Sequence, residues 1–158
     1  MSLAITTTRK PVFLKIFLTG LLAGTLDALA AIIWAHKVPP AAIFQYIASG
    51  VFGKAAFVSG NDMVLFGLTF HYLIAIGFTA AWYFTYPLFY GIFKNKYIIA
   101  CAYGILTWFI MNLAIVPLSK IGWTPFKHVS GVLIGMGILI ICIGLPAAWV
   151  ADRSRVKG

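Results

Sequence analysis

No glutamate occurs in this chain of 158 residues, and its acidic side chains are three aspartates, Asp27, Asp62 and Asp152. Glutamate-based glycoside hydrolysis is excluded with it. A glycine-rich phosphate loop ending in Lys-Ser/Thr, a Gly-x-Ser-x-Gly elbow and a His-Glu-x-x-His pair are missing too, which removes the common nucleotide, acyl-transfer and zinc-protease signatures. The two cysteines, Cys101 and Cys142, stand singly inside apolar runs. Neither has metal-site spacing, and a free Cys in such a setting behaves as a small hydrophobe. These gaps tilt the reading away from an enzyme without disposing of one, because membrane enzymes can work with sparse His/Asp sites.

Charge is scarce altogether. Asp, Glu, Lys and Arg make up 9% of the chain and hydrophobic residues 62%, against about 25% charged residues in soluble domains. A water-soluble fold would have to leave large apolar patches exposed. The formal charge of +9 sits in short clusters between long apolar runs. Such clusters are topology signals at the ends of membrane spans, not a nucleic-acid surface.

Four runs, 12–35, 63–86, 97–118 and 129–151, are long enough to cross a hydrocarbon layer that needs about 20 helical residues. No ten-residue alternation suggests strands, and a backbone in lipid must satisfy its own hydrogen bonds, so the spans are read as helices. The expected fold is an all-α integral membrane protein, a single domain built as a four-helix transmembrane bundle. The first run, after Arg9-Lys10, imitates a secretory signal peptide but continues apolar through Trp34, so it is taken as a retained span. Arg9, Lys10, Lys15, Lys94, Lys96, Arg153, Arg155 and Lys157 flank one side, and Lys37, Lys54, Lys120 and Lys127 the other. The richer side is expected to be cytoplasmic, with both termini on it. Trp34, Trp123 and Trp149 fall near span ends, where interfacial anchors belong.

The connector 36–62 is long for a helix–helix link and too apolar for a free loop. Pro39-Pro40 ahead of Ala41-Ala42-Ile43-Phe44 makes a helix start. An extra helix over about 40–54 is therefore expected on the outer face, either interfacial or re-entrant. Gly20/Gly24 and Gly131/Gly135 have the spacing that lets helix backbones approach closely. They would serve packing within the chain or a homo-oligomer. A short echo, Gly77–Trp82 against Gly144–Trp149, is thin evidence for a parallel repeat of helix pairs.

Asp27 is the sharpest signal. An aspartate near the middle of a spanning helix costs about 2.5–3.5 kcal/mol on insertion scales, so such residues are normally partnered and functional. Its neighbours at helical spacing are Gly20, Ala23, Gly24, Ala30, Ala31 and Trp34, nearly all small, so this face is expected to pack inward. Counted from the span ends, Asp27 and His71 both lie about 12 Å below the outer boundary, and Asn112 about 7–8 Å. Tyr72, Trp108 and Ser130 are expected to line the same layer.

Three readings of that layer stay open. One is an Asp–His–Asn hydrogen-bonded cluster that fixes helix register. Another is a site that binds a small ligand or ion, or relays a proton, through Asp27 and His71. The last is a metal or haem site of a membrane redox protein, with Asp27, His71, His128 and His36 as candidate ligands. The cofactor is otherwise unassigned. An assembly subunit of a membrane complex, using the glycine faces and the outer helix, is the non-enzymatic alternative. The expected partners are the lipid bilayer and the small ligand, with no nucleic acid.

The string Gln45-Tyr46-Ile47-Ala48-Ser49-Gly50-Val51-Phe52-Gly53, with Phe70-His71-Tyr72 further on, resembles a family of small bacterial inner-membrane four-helix proteins, distantly of the YagU-like type. The resemblance covers most of the chain. It implies a bacterial plasma membrane and a lid-like segment before the second span, and it brings no catalytic residues to carry over.

Overall fold

Apolar runs of this length have one local solution in hydrocarbon, the helix, because it satisfies its backbone groups internally. The computed structural model describes residues 11–125 and 128–156. The helices are α1 (Val12–Trp34), α2 (Pro40–Phe52), α3 (Asn61–Phe93), α4 (Lys96–Leu118) and α5 (Val129–Arg153, with helical residues continuing to Val156). Four of them, all but α2, are long and apolar enough to span a membrane, and no strand occurs among the described residues. The chain is an all-α membrane bundle. Of the flanking cations, Arg9, Lys10, Lys127 and Lys157 lie outside the described residues.

α1 buries Ile16, Thr19, Gly20, Ala23 and Gly24, one face at three- and four-residue spacing. A Cβ on Gly20 would stand 2.8 Å from the Cα of Ile76, and one on Gly24 3.0 Å from the Tyr72 ring. Both glycines are thus spent on a close α1–α3 crossing within the chain, where dispersion between packed backbones replaces the hydrophobic effect. α4 and α5 meet in the same way. A Cβ on Gly104 would stand 2.5 Å from the Cα of Ile140, and Gly144 packs on the Ala100 carbonyl. Gly135 abuts the Trp108 indole, whereas Gly131 faces open space.

α3 extends past the expected end at Tyr86, through Pro87, to Phe93. It stops where Lys94 takes the left-handed conformation (φ 52°), and Asn95 Oδ1 then caps α4 by accepting from the Tyr97 N–H at 2.9 Å. The α3–α4 turn is therefore two residues long, and Pro87 does not end the helix because the chain after it stays apolar and helical. Near this turn lies the solid core. Trp82, Tyr86, Ile99 and Tyr103 are buried with a row of small α5 residues, and the Trp82 and Tyr103 rings stack at 3.9 Å. Asp152 closes this end, 3.7 Å from Lys96 Nζ and accepting from the Tyr86 hydroxyl at 3.3 Å. The echo between the second and fourth spans does not extend to environment, since Trp82 is fully buried and Trp149 is 49% exposed. Trp34, Trp123 and Trp149 all face outward.

The expected 40–54 helix ends at Phe52 and passes into a 3-10 turn, Gly53–Phe57. It lies against the start of α3. The Phe44 carbonyl fills the space beside Gly67, and the Phe52 ring packs on Phe66 (5.2 Å) and Phe70 (6.1 Å). The Lys120 N–H donates to the Gly50 carbonyl at 2.8 Å, tying the loop after α4 onto α2.

Two helices carry a widened turn. Met111–Ile115 in α4 is a π-turn, closed by the Val116 N–H on the Met111 carbonyl, and Pro117 follows. Ile140–Gly144 in α5 is another, closed by the Leu145 N–H on the Ile140 carbonyl, and Pro146 follows. A proline ring collides with the carbonyl four residues before it and has no N–H to offer. One extra residue in the preceding turn moves that carbonyl aside. Pro87 in α3 is accommodated without one.

Candidate functional site

Between the α2 end of the bundle and the aromatic core is a cavity of about 90 Å³. Asp27 of α1, His71 of α3 and Thr107 of α4 supply its polar lining, with Ile47 of α2 and Ile143 of α5 among the apolar residues. Every helix contributes. Both π-turns border it, through Met111 in one and Ile143 in the other. Single π-turns inside α-helices recur at functional sites, where they re-aim side chains.

His71 is held from two sides. Its Nε2 lies 2.8 Å from the Gly24 carbonyl, and the Phe44 ring meets it edge-on at 6.3 Å. A carbonyl can only accept, so Nε2 carries the proton, and in the neutral ring Nδ1 is left as an acceptor. Asp27 follows Gly24 by three residues, almost one turn further along the same face of α1. It is half-buried. The two side chains share the cavity but close no ion pair; among the described residues that contact belongs to Lys96 and Asp152.

Thr107 was not singled out by sequence, and it is the third polar group. Its hydroxyl is buried, 1% exposed; it interacts with the Tyr103 phenol and makes no bond back to its own helix. Elsewhere in the bundle the helical threonines bond back to the carbonyl four residues earlier, as Thr19 does to Lys15 (2.7 Å) and Thr79 to Ala75 (2.8 Å). Thr107 breaks that habit on the cavity wall. A buried hydroxyl that forgoes the bond to its own helix can donate to or accept from a bound molecule. A threonine inside an apolar helix is unremarkable by sequence, and no local signal marks it.

The other expected site residues fall elsewhere. Tyr72 turns toward α1, its hydroxyl 2.9 Å from Thr25 Oγ1. Asn112 spends its amide on the Trp108 carbonyl at 2.9 Å, one turn back on its own helix. Trp108 is buried against Gly135. Ser130 and His128 are exposed at the start of α5. His36, also exposed, lines an open surface depression with Trp34 and Ile134. The layer inferred from depth is thus split by side-chain direction, which counting along a helix axis does not resolve. Among the described residues no three His, Cys or Asp side chains come together as a metal site, so Asp27 and His71 share a cavity without His36 or His128.

Beside the polar cavity is an apolar cleft of about 320 Å³ between α2, α3 and α4. Ile47, Ile74 and Met111 line both spaces and form the partition between them. Tyr46, on the cleft wall, has its phenol pushed above the ordinary range by burial.

The fold and this site define a four-span membrane bundle with a cavity lined by Asp27, His71 and Thr107. No family model, curated protein or solved structure matches the chain.

Proposed function

We propose that this protein binds a small polar molecule, or passes a proton, at the intramembrane cavity of Asp27, His71 and Thr107. One observation carries the reading: two ionisable side chains and a buried threonine hydroxyl line a single space inside the bundle, and no ion pair closes it. Ionisable residues at membrane depth are costly and are retained for ion pathways, proton relays or ligands. The lysine and arginine asymmetry supports an orientation with both termini cytoplasmic, in which the cavity lies in the outer half beneath α2; the bacterial inner membrane is what the family resemblance implies.

In this role Asp27 accepts the proton or the donor group. His71 is fixed by Gly24 with Nδ1 available to relay. The test is proton flux into vesicles carrying the purified protein and a pH-sensitive dye, with Asp27→Asn and His71→Ala compared at equal folded content. A tenfold or greater loss in both is expected. Unchanged flux together with unchanged retention of small amines, ammonium and methylamine, would overturn it. Lost stability with full activity would assign the pair to fixing helix register instead.

A further inference from the structure

Resting on the site just proposed, we infer that its ligand is a single-chain amphiphilic amine that enters from the bilayer, its head in the Asp27–His71–Thr107 cavity and its chain in the neighbouring apolar cleft. The cleft is almost wholly hydrophobic, and its volume of about 320 Å³ falls at the lower end of small-molecule pockets. The polar cavity, about 90 Å³, has room for about three waters or a head group of that size. Two such spaces divided only by Ile47, Ile74 and Met111 match a molecule with a small polar end and a larger apolar body. Met111 is the movable part of the partition, being unbranched and the first residue of the π-turn.

The route of entry follows from exposure. Val51 and Leu73 on the cleft wall are 50% and 60% exposed on the surface of the bundle, so this side opens laterally, toward lipid. The loop at Ser119–Ile121 lies across another edge, held by the Lys120 N–H on Gly50 and the Ile121 N–H on Ser119 Oγ at 3.2 Å. A ligand admitted through the open side must partition into the bilayer first.

The head-group chemistry follows from what the cavity offers. His71 has committed its Nε2–H to Gly24, leaving Nδ1 as the acceptor of a neutral ring; the Asp27 carboxyl accepts, and a cation beside it favours its ionised form; Thr107 both accepts and donates. The groups call for a donor, and a cationic one gains a charge-assisted bond to the Asp27 carboxyl. A carboxylate head would face Asp27 across a low-dielectric space and be repelled.

Photolabelling in phosphatidylcholine vesicles tests this, using dodecylamine with a diazirine at the chain end and the full-length protein. Label is expected on the 46–51, 70–74 and 111–116 segments, competed by unlabelled dodecylamine and at least tenfold less well by dodecanoate. Ile74→Trp, or Met111→Phe if that variant does not fold, should abolish it, and Asp27→Asn should weaken it at least tenfold. Equal competition by dodecanoate, or labelling that ignores both the partition and Asp27, would overturn the inference. If labelling fails while proton flux or methylamine retention still depends on Asp27 and His71, the site stands and only the amphiphile falls.

Discussion

His71 Nε2 lies 2.8 Å from the carbonyl oxygen of Gly24, three residues before Asp27 on the same face of α1. Because that carbonyl belongs to a helix turn, the imidazole is referenced to the backbone of α1 and not to a mobile side chain. The contact exists only because Gly24 has no Cβ to hold α3 away.

The ring tautomer should therefore be fixed. Nitrogen-15 spectra of His71 in the membrane-embedded protein should show Nε2 protonated at neutral pH. A ring protonated only at Nδ1 would contradict the geometry. His71→Ala should cost about 1 kcal/mol for the lost bond, since the Gly24 carbonyl keeps its own helix, and that would show as a modest drop in melting temperature.

Close helix crossings should be intolerant of a single methyl. Gly104→Ala would press its Cβ into the backbone of Ile140 and should lower stability by about 1–3 kcal/mol. Gly77→Ala is the control, because its Cβ meets nothing within 4 Å; it should be neutral or stabilising by up to about 1 kcal/mol. Thermal unfolding of both in the same lipid would check the contrast, and equal effects would mean that α4 and α5 do not cross there.

The π-turns should depend on the prolines that follow them. In Pro117→Ala, residues 111–115 should return to α-helical register, readable from backbone chemical shifts. The fold should persist, because proline is the poorest helix former. Activity at Asp27 should fall about tenfold as Met111 and Thr107 are re-aimed. Retention of the π-turn in the alanine variant would separate it from the proline.

The Asp152–Lys96 ion pair should contribute little to stability. Its contact with Lys96 is 3.7 Å long with both side chains partly exposed, and such pairs contribute about 0–1 kcal/mol. Asp152→Asn should cost no more than that, lessened further at high salt, and should leave flux and labelling unchanged. Loss of activity in this variant would move the functional site to the other end of the bundle.

Much of the architecture was legible from composition. Four apolar runs bounded by cations and tryptophans leave a bilayer one solution, and the Pro39-Pro40 pair announced α2, because these signals are local and one-dimensional. The spacing of Gly20 and Gly24 foretold a close approach without saying to what. Depth along an axis placed Asp27 and His71 at one level, since each residue advances a helix by a constant 1.5 Å. It could not say that Asn112 and Tyr72, in the same layer, would turn to other partners. That depends on the rotation of each helix about its own axis, which is set by which glycines interlock and by the extra residue in each π-turn. Nor could it show Thr107 on the cavity wall, or Ile47, Ile74 and Met111 as one partition, since those residues meet only through packing between α2, α3 and α4. The sequence alone determined that the chain carries four helices long and apolar enough to span a membrane, and how far along its helix each polar group sits; tertiary packing decided which of those groups face one another.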